Sequence, residues 1–210
     1  MHSAPTLDKL SPDSRFGADT HSARLVELVD EATLSSLDPA TLHALRIFFA
    51  DTLAVGIAGQ CNPAADGILA AMQQAGGTGG VSCLGRPGVA LPPHQAAVVN
   101  GFQIHCLECD GLHEPSVGIA LRASVAALHA DLHQHDVSYG ELLLAFAVGV
   151  ETAVFFGSAA ASAPRFFRPS AAGVMGAAMA LGKLRGYDRD QLHNLLGLAY
   201  SQAGGTMQAH

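Results

Sequence analysis

The chain has no tryptophan, and aromatic residues make up only 6% of its 210 positions. Charge is sparse too, at 14% of residues, and the 11 Lys and Arg are outnumbered by 18 Asp and Glu. A net charge of −7 argues against a nucleic-acid partner, whose binding rests on neutralising phosphates. It also leaves no polybasic patch for an anionic lipid surface. No run of about 18 apolar residues passes without a charge, so a membrane span is not expected. The opening MHSAPTLDKLSPDSRFGADTHS has no apolar stretch of the kind a secretory signal needs, and residues 1–21 read as a flexible tail. Without an export signal, Cys61, Cys83, Cys106 and Cys109 read as reduced thiols of a cytoplasmic protein. The chain also lacks G-x-G-x-x-G, Walker A, G-x-S-x-G and EF-hand patterns, so nucleotide binding and serine hydrolysis have no support.

What is present is the punctuation of helices. Asp38-Pro39 and Asn62-Pro63 each place a capping side chain before a proline at the first helical position. Leu91-Pro92-Pro93 opens another helix running toward Leu107. Ser138 with Glu141 has capping-box form ahead of LLLAFAVGVETAVFF, which is apolar enough for a central helix. Ser170 reads as the cap of AAGVMGAAMALGKLRG, and Asp188 with Gln191 opens LHNLLGLAYSQ. Helices are expected over 40–58, 93–108, 139–157, 171–185 and 189–203. The abundant Gly and Ala inside them favour close helix-on-helix packing. The single strand-like stretch, GGVSCLGRPGVAL, is too short and Gly-broken for a larger sheet. The expected fold is one all-α bundle over residues 22–210, with no inserted second domain. GGTMQAH follows directly on an apolar helix, where a polar fraying tail is usual, and this reads as a chain cut short.

Three polar clusters could carry chemistry. HCLECDGLHEPS gathers His105, Glu108, Asp110, His113 and Glu114, and carboxylates beside imidazoles suit general acid–base work. The plainer alternative is a solvated loop with a capping Asp. Arg165, Arg168 and Ser170 in APRFFRPS would join a guanidinium to helix N-terminal amides, a carboxylate site, unless Arg168 is an ordinary loop arginine. His129 and His133 stand four residues apart on one helix face and could hold a metal, or simply end a polar helix. Cys106 and Cys109 lack both the strand–helix context of a redox pair and a second pair for zinc. On a helix they read as two small buried hydrophobes.

DTLAVGIAG (51–59), AAVVNGFQIHCLECDGLHEPSV (96–117), GELLLAFAVGVETA (140–153) and the block from Phe167 to His210 resemble the MmgE/PrpD family. The most specific stretch is Asn100-Gly101 followed by His105-Cys106-Leu107-Glu108 and Asp110. The resemblance implies a mostly helical domain, a dimeric assembly, and proton abstraction next to a carboxylate of a di- or tricarboxylic acid, as in 2-methylcitrate dehydratase. It implies neither metal nor organic cofactor. Carried over by position, Glu108, Asp110 and His113 are the catalytic candidates, and His105, Arg168 and Ser170 the substrate-binding ones, gathered in one pocket.

The departures from the pattern matter equally. Glu108 stands where the family usually has Asp, Leu112 where Thr is frequent, and Arg168 where many members have His. A His-Pro pair common in the family after the position of Val117 is missing, since Val117 runs directly into Gly118-Ile119-Ala120. Members are also considerably longer and carry a lid. The alternatives to an active lyase or isomerase are therefore a truncated, inactive homologue or one part of a split enzyme, and, further off, a metal-binding helical module. The partners expected are a polycarboxylate substrate and a second copy or a complementing polypeptide. Exposed Leu195, Leu196 and Leu198 would then drive self-association.

Overall fold

The computed structural model describes residues 20–116, 118, 120–159 and 167–204. The tail up to residue 19, Arg165 and the closing residues from 205 on lie outside these. Among the described residues there are eight α-helices and one two-stranded sheet: α1 His21–Glu31, α2 Pro39–Gly59, α3 Pro63–Gln74, β1 Val81–Cys83, β2 Arg86–Leu91, α4 Pro93–His105, α5 Ala120–Leu132, α6 Tyr139–Ala159, α7 Arg168–Leu184 and α8 Arg189–Gln202. The fold is all-α.

Most helix starts follow their local chemistry. Asp38 accepts from the Thr41 amide, Asn62 from Ala64 and Asp188 from Gln191, while Ser138 and Glu141 bond reciprocally. Three boundaries differ from expectation. Thr20 caps an unanticipated helix, α1, by accepting from Ala23. α4 stops at His105, three residues early. α7 begins at Arg168 behind Phe167, so Ser170 lies inside the first turn and is not its cap.

α6 is the centre of the bundle. Phe146 is fully buried and meets Phe49 of α2 edge-on, with ring centroids 5.3 Å apart. On α6's other side Gly149 faces α7, where a Cβ would stand 3.1 Å from the Gly176 carbonyl and 2.5 Å from Ser124 Oγ. α1 packs on α8, and Arg189 reaches Asp30 at 2.6 Å and Glu31 at 3.1 Å. α1 thereby corrects the expectation for α8: Leu196 is buried and Leu195 partly so, and Leu198 alone of the three is exposed. Both α2 and α6 are long and apolar enough to cross a bilayer by length and composition, although each carries charged residues. The apolar window of α6 is mostly buried in the bundle, whereas that of α2 is mostly exposed.

The hairpin β1–β2 is tied down from α4. Val81 pairs with Leu91 and Ser82 with Ala90. Buried Asn100 accepts from the Leu84 amide at 2.8 Å, and buried Gln103 donates to the Leu84 carbonyl at 2.7 Å and that of Gly56 at 3.0 Å. Arg86 completes the knot, donating to Gln103 Oε1 at 2.7 Å and pairing with Asp66 at 2.7 Å. Asn100, part of the most family-like stretch, is thus a structural residue here.

Candidate functional site

Helix directions bring the ionisable residues together. α4 runs against α5, with Gly101 opposite Ala126. α7 runs alongside α5 in the same sense, with Gly173 beside Ala123 near one end and Arg185 on Asp131 near the other. The C-terminus of α4 and the N-termini of α5 and α7 therefore meet at one end of a groove between the three helices. This groove has a volume of about 550 Å³. His105 and Cys106 line it from α4, Arg122 from α5 and Ser170 from α7, over a floor of alanine and glycine.

Just past α4, the chain turns back on its own last residue. His105 Nδ1 donates to Asp110 at 2.9 Å, and the Asp110 side chain is 1% exposed. A carboxylate only accepts, so Nδ1 carries a proton, and in the neutral form of the ring the lone pair is on Nε2. Glu108 makes the turn possible by adopting φ +53°, a left-handed conformation costly for a residue with a side chain. Its amide bonds back to the His105 carbonyl at 2.8 Å, and its carboxylate, 81% exposed, lies 3.5 Å from His105 Nε2.

His113 stands apart from this group. Its Nδ1 lies 2.9 Å from Ser116 Oγ, and its backbone bridges to Gly118. With Gly111 and Leu112 it lines a separate, mostly apolar pocket of about 300 Å³ against α2 and α6. Arg168 is half-buried at the start of α7 and is not among the groove residues, although its neighbours Pro169 and Ser170 are. The amides of Ser170 and Ala171 both donate to the Phe167 carbonyl, and Pro169 has none to offer, so this helix end presents fewer open donors than expected.

Arg122 was not foreseen. An arginine in an Ala-rich helix carries no local signal, and its place shows only once α4 and α7 are packed around it. It is half-buried, and among the described residues it has no hydrogen-bond or ion-pair partner. Burial lowers its pKa, while Asp110 and Glu108 act on it electrostatically in the opposite sense. Burial also pushes the Cys106 thiol up, which makes it a poor nucleophile.

The remaining candidates have structural partners. Cys109 lies beyond α4 and is exposed, so Cys106 and Cys109 are not a pair of buried helical hydrophobes. His129 Nδ1 meets Asn100 Nδ2 at 3.3 Å, and His133 Nε2 meets Ser82 Oγ at 3.1 Å. Among the described residues no group of three or more His, Cys, Asp or Glu is placed to hold a metal.

Fold and site together define a helical domain with a carboxylate-oriented imidazole and a cation at the end of an interhelical groove. The MmgE/PrpD N-terminal domain model matches residues 23–210. The chain belongs to the MmgE/PrpD family. It is 35% identical to the cis-aconitate decarboxylase of Homo sapiens over 130 residues, covering 59% of this chain and 27% of that protein. With the cis-aconitate decarboxylase of Mus musculus it shares 36% over 127 residues, 57% of this chain and 26% of the relative. The cis-aconitate decarboxylase-like protein oryM of Aspergillus oryzae is 31% identical over 199 residues, which cover 90% of this chain and 41% of that one. The chain thus matches between about a quarter and two fifths of the length of these curated relatives.

Proposed function

We propose that this domain takes part in lyase- or isomerase-type chemistry on a small di- or tricarboxylic acid, with proton removal from the carbon next to a carboxylate. The observation that carries the reading is the His105–Asp110 pair at the groove's end. Asp110 fixes the ring so that Nε2 is the basic atom, and it steadies the imidazolium formed when that atom takes a proton. Loss of a neighbouring hydroxyl as water, or return of the proton to the other face, would follow from that step, whereas loss of CO₂ leaves its electron pair on carbon and would call on the protonated His105 ring as the proton donor. The relatives named for cis-aconitate make it the first compound to test, with 2-methylcitrate second. The reading calls on no metal or organic cofactor. The acting unit in this proposal is a homodimer, supported by the exposed Ile47, Phe48 and Ile57 on α2.

The test is incorporation of solvent deuterium into cis-aconitate, citrate and 2-methylcitrate by the full chain, followed by NMR. Exchange that disappears in His105→Asn supports the proposal. Absence of exchange with every acid, or exchange unchanged in His105→Asn, overturns it. A second reading, ligand binding without turnover, is favoured by the openness of the groove, whose edge residues Val98 and Ser170 are exposed. Saturable binding without exchange would establish that reading instead.

A further inference from the structure

We infer that Arg122 is the anchor for a substrate carboxylate, holding it at the end of the groove where α5 and α7 begin. The inference rests on the functional reading above for the identity of the ligand, but its own evidence is separate. Arg122 lines the groove together with His105 and Ser170. It is half-buried, yet among the described residues no acceptor closes on its guanidinium. A guanidinium partly withdrawn from water and left without an acceptor is poised to take one, and a planar carboxylate matches its fork of donors.

The surroundings point the same way. The two nearest acids do not neutralise it: Asp110 is committed to His105, and Glu108 is turned to solvent. Loss of hydration weighs on its charge state more than the two carboxylates do, and an acceptor bonded to the guanidinium would offset that loss. The positive ends of the α5 and α7 dipoles lie at that same end and add to the field. An acid held there by Arg122 would present the carbon beside its carboxylate toward the His105 side of the groove. Phe102, Ala126, Val174 and Ala177 would cover its apolar portion. This places the anchor on α5, in a helix without any family-like motif, rather than on Arg168 at the α7 terminus.

The experiment titrates the full chain with succinate, citrate and inorganic phosphate. Binding is read by calorimetry and by the NMR signals of the arginine side chains and the His105 ring. Arg122→Leu should weaken succinate binding by about tenfold or more, while Arg122→Lys, which keeps the charge and loses the fork, should fall between the two. Arg189→Ala, on the distant α1–α8 surface, should bind as the parent does. Circular dichroism shows whether each variant is folded, and the Lys variant decides the matter if the Leu variant is not. Equal affinity in folded Arg122→Leu and parent overturns the assignment, as does phosphate competing as well as succinate. Binding that depends on Arg122 in a chain that exchanges no protons leaves the anchor standing and defeats the catalytic proposal. Exchange with unchanged KM in Arg122→Leu does the reverse.

Discussion

Two aspartates in this bundle are almost equally buried, and their surroundings differ in one respect. Asp131, 2% exposed, is closed off by Arg185, whose Nε and terminal nitrogen both donate to it, with His135 Nδ1 at 3.3 Å. Among the described residues Asp110 has only His105 within hydrogen-bonding distance, and its nearby arginine, Arg122, does not reach it. The two arginines respond in opposite directions. Bonding to Asp131 raises the pKa of Arg185, and burial lowers that of Arg122. A buried charge that finds its partner inside the fold joins helices together. One that finds no such partner at the edge of a groove is available to a ligand.

The sharpest test of this contrast is Asp110→Asn. An amide in that place can donate to His105 Nδ1 and move the ring proton to Nε2, so proton exchange should drop by about 10²–10⁴, with little change in melting temperature. Nitrogen NMR of the His105 ring should show the altered tautomer, and an unaltered ring would break the argument. Asp131→Asn should do the opposite, leaving succinate binding intact while lowering stability by about 2 kcal/mol. That is less than the 3–5 kcal/mol typical of a fully buried pair, because Arg185 is partly exposed and can be rehydrated. Urea unfolding measures it.

Glu108→Gly should stabilise the fold by up to about 1 kcal/mol, since glycine takes the left-handed turn without penalty. The same change should tighten anion binding by removing a carboxylate that opposes it, and a looser complex would count against Arg122 as the anchor. The smallest effect concerns His129, whose pKa is lowered by burial and by His133. Its unfolded form binds a proton at a pH where the folded form does not. Stability should therefore fall as pH drops through the ordinary histidine range, about 6.5. His129→Gln should flatten that slope in part, because partly buried His193 contributes in the same direction.

Much of this architecture is readable from the chain because capping is local. Asp38, Asn62, Ser138 and Asp188 each sit within three residues of the amide they bond, and the helix starts they signal agree with the structure. The early end of α4 is not readable, because it depends on Glu108 accepting an unfavourable backbone angle so that Asp110 can return to His105. The start of α7 is obscured by Ser170, a good capping residue that lies inside the first turn. His105, Glu108 and Asp110 are close in sequence and so appear as a cluster, whereas Arg122 acquires its meaning only from helices far away in the chain.

α7 has two sides, and only one of them faces the groove. On the other, Gly176 and Gly149 let the backbones of α6 and α7 come so near that a methyl on Gly176 would lie 2.5 Å from the Gly149 carbonyl. Because Gly173, Val174 and Ala177 form a groove wall on that same rigid helix, the glycine contact sets how wide the groove stands. Fit for a ligand is thereby gauged from behind, by two residues that never touch it: a single carbon added at position 149 or 176 would push the wall across the space an acid needs.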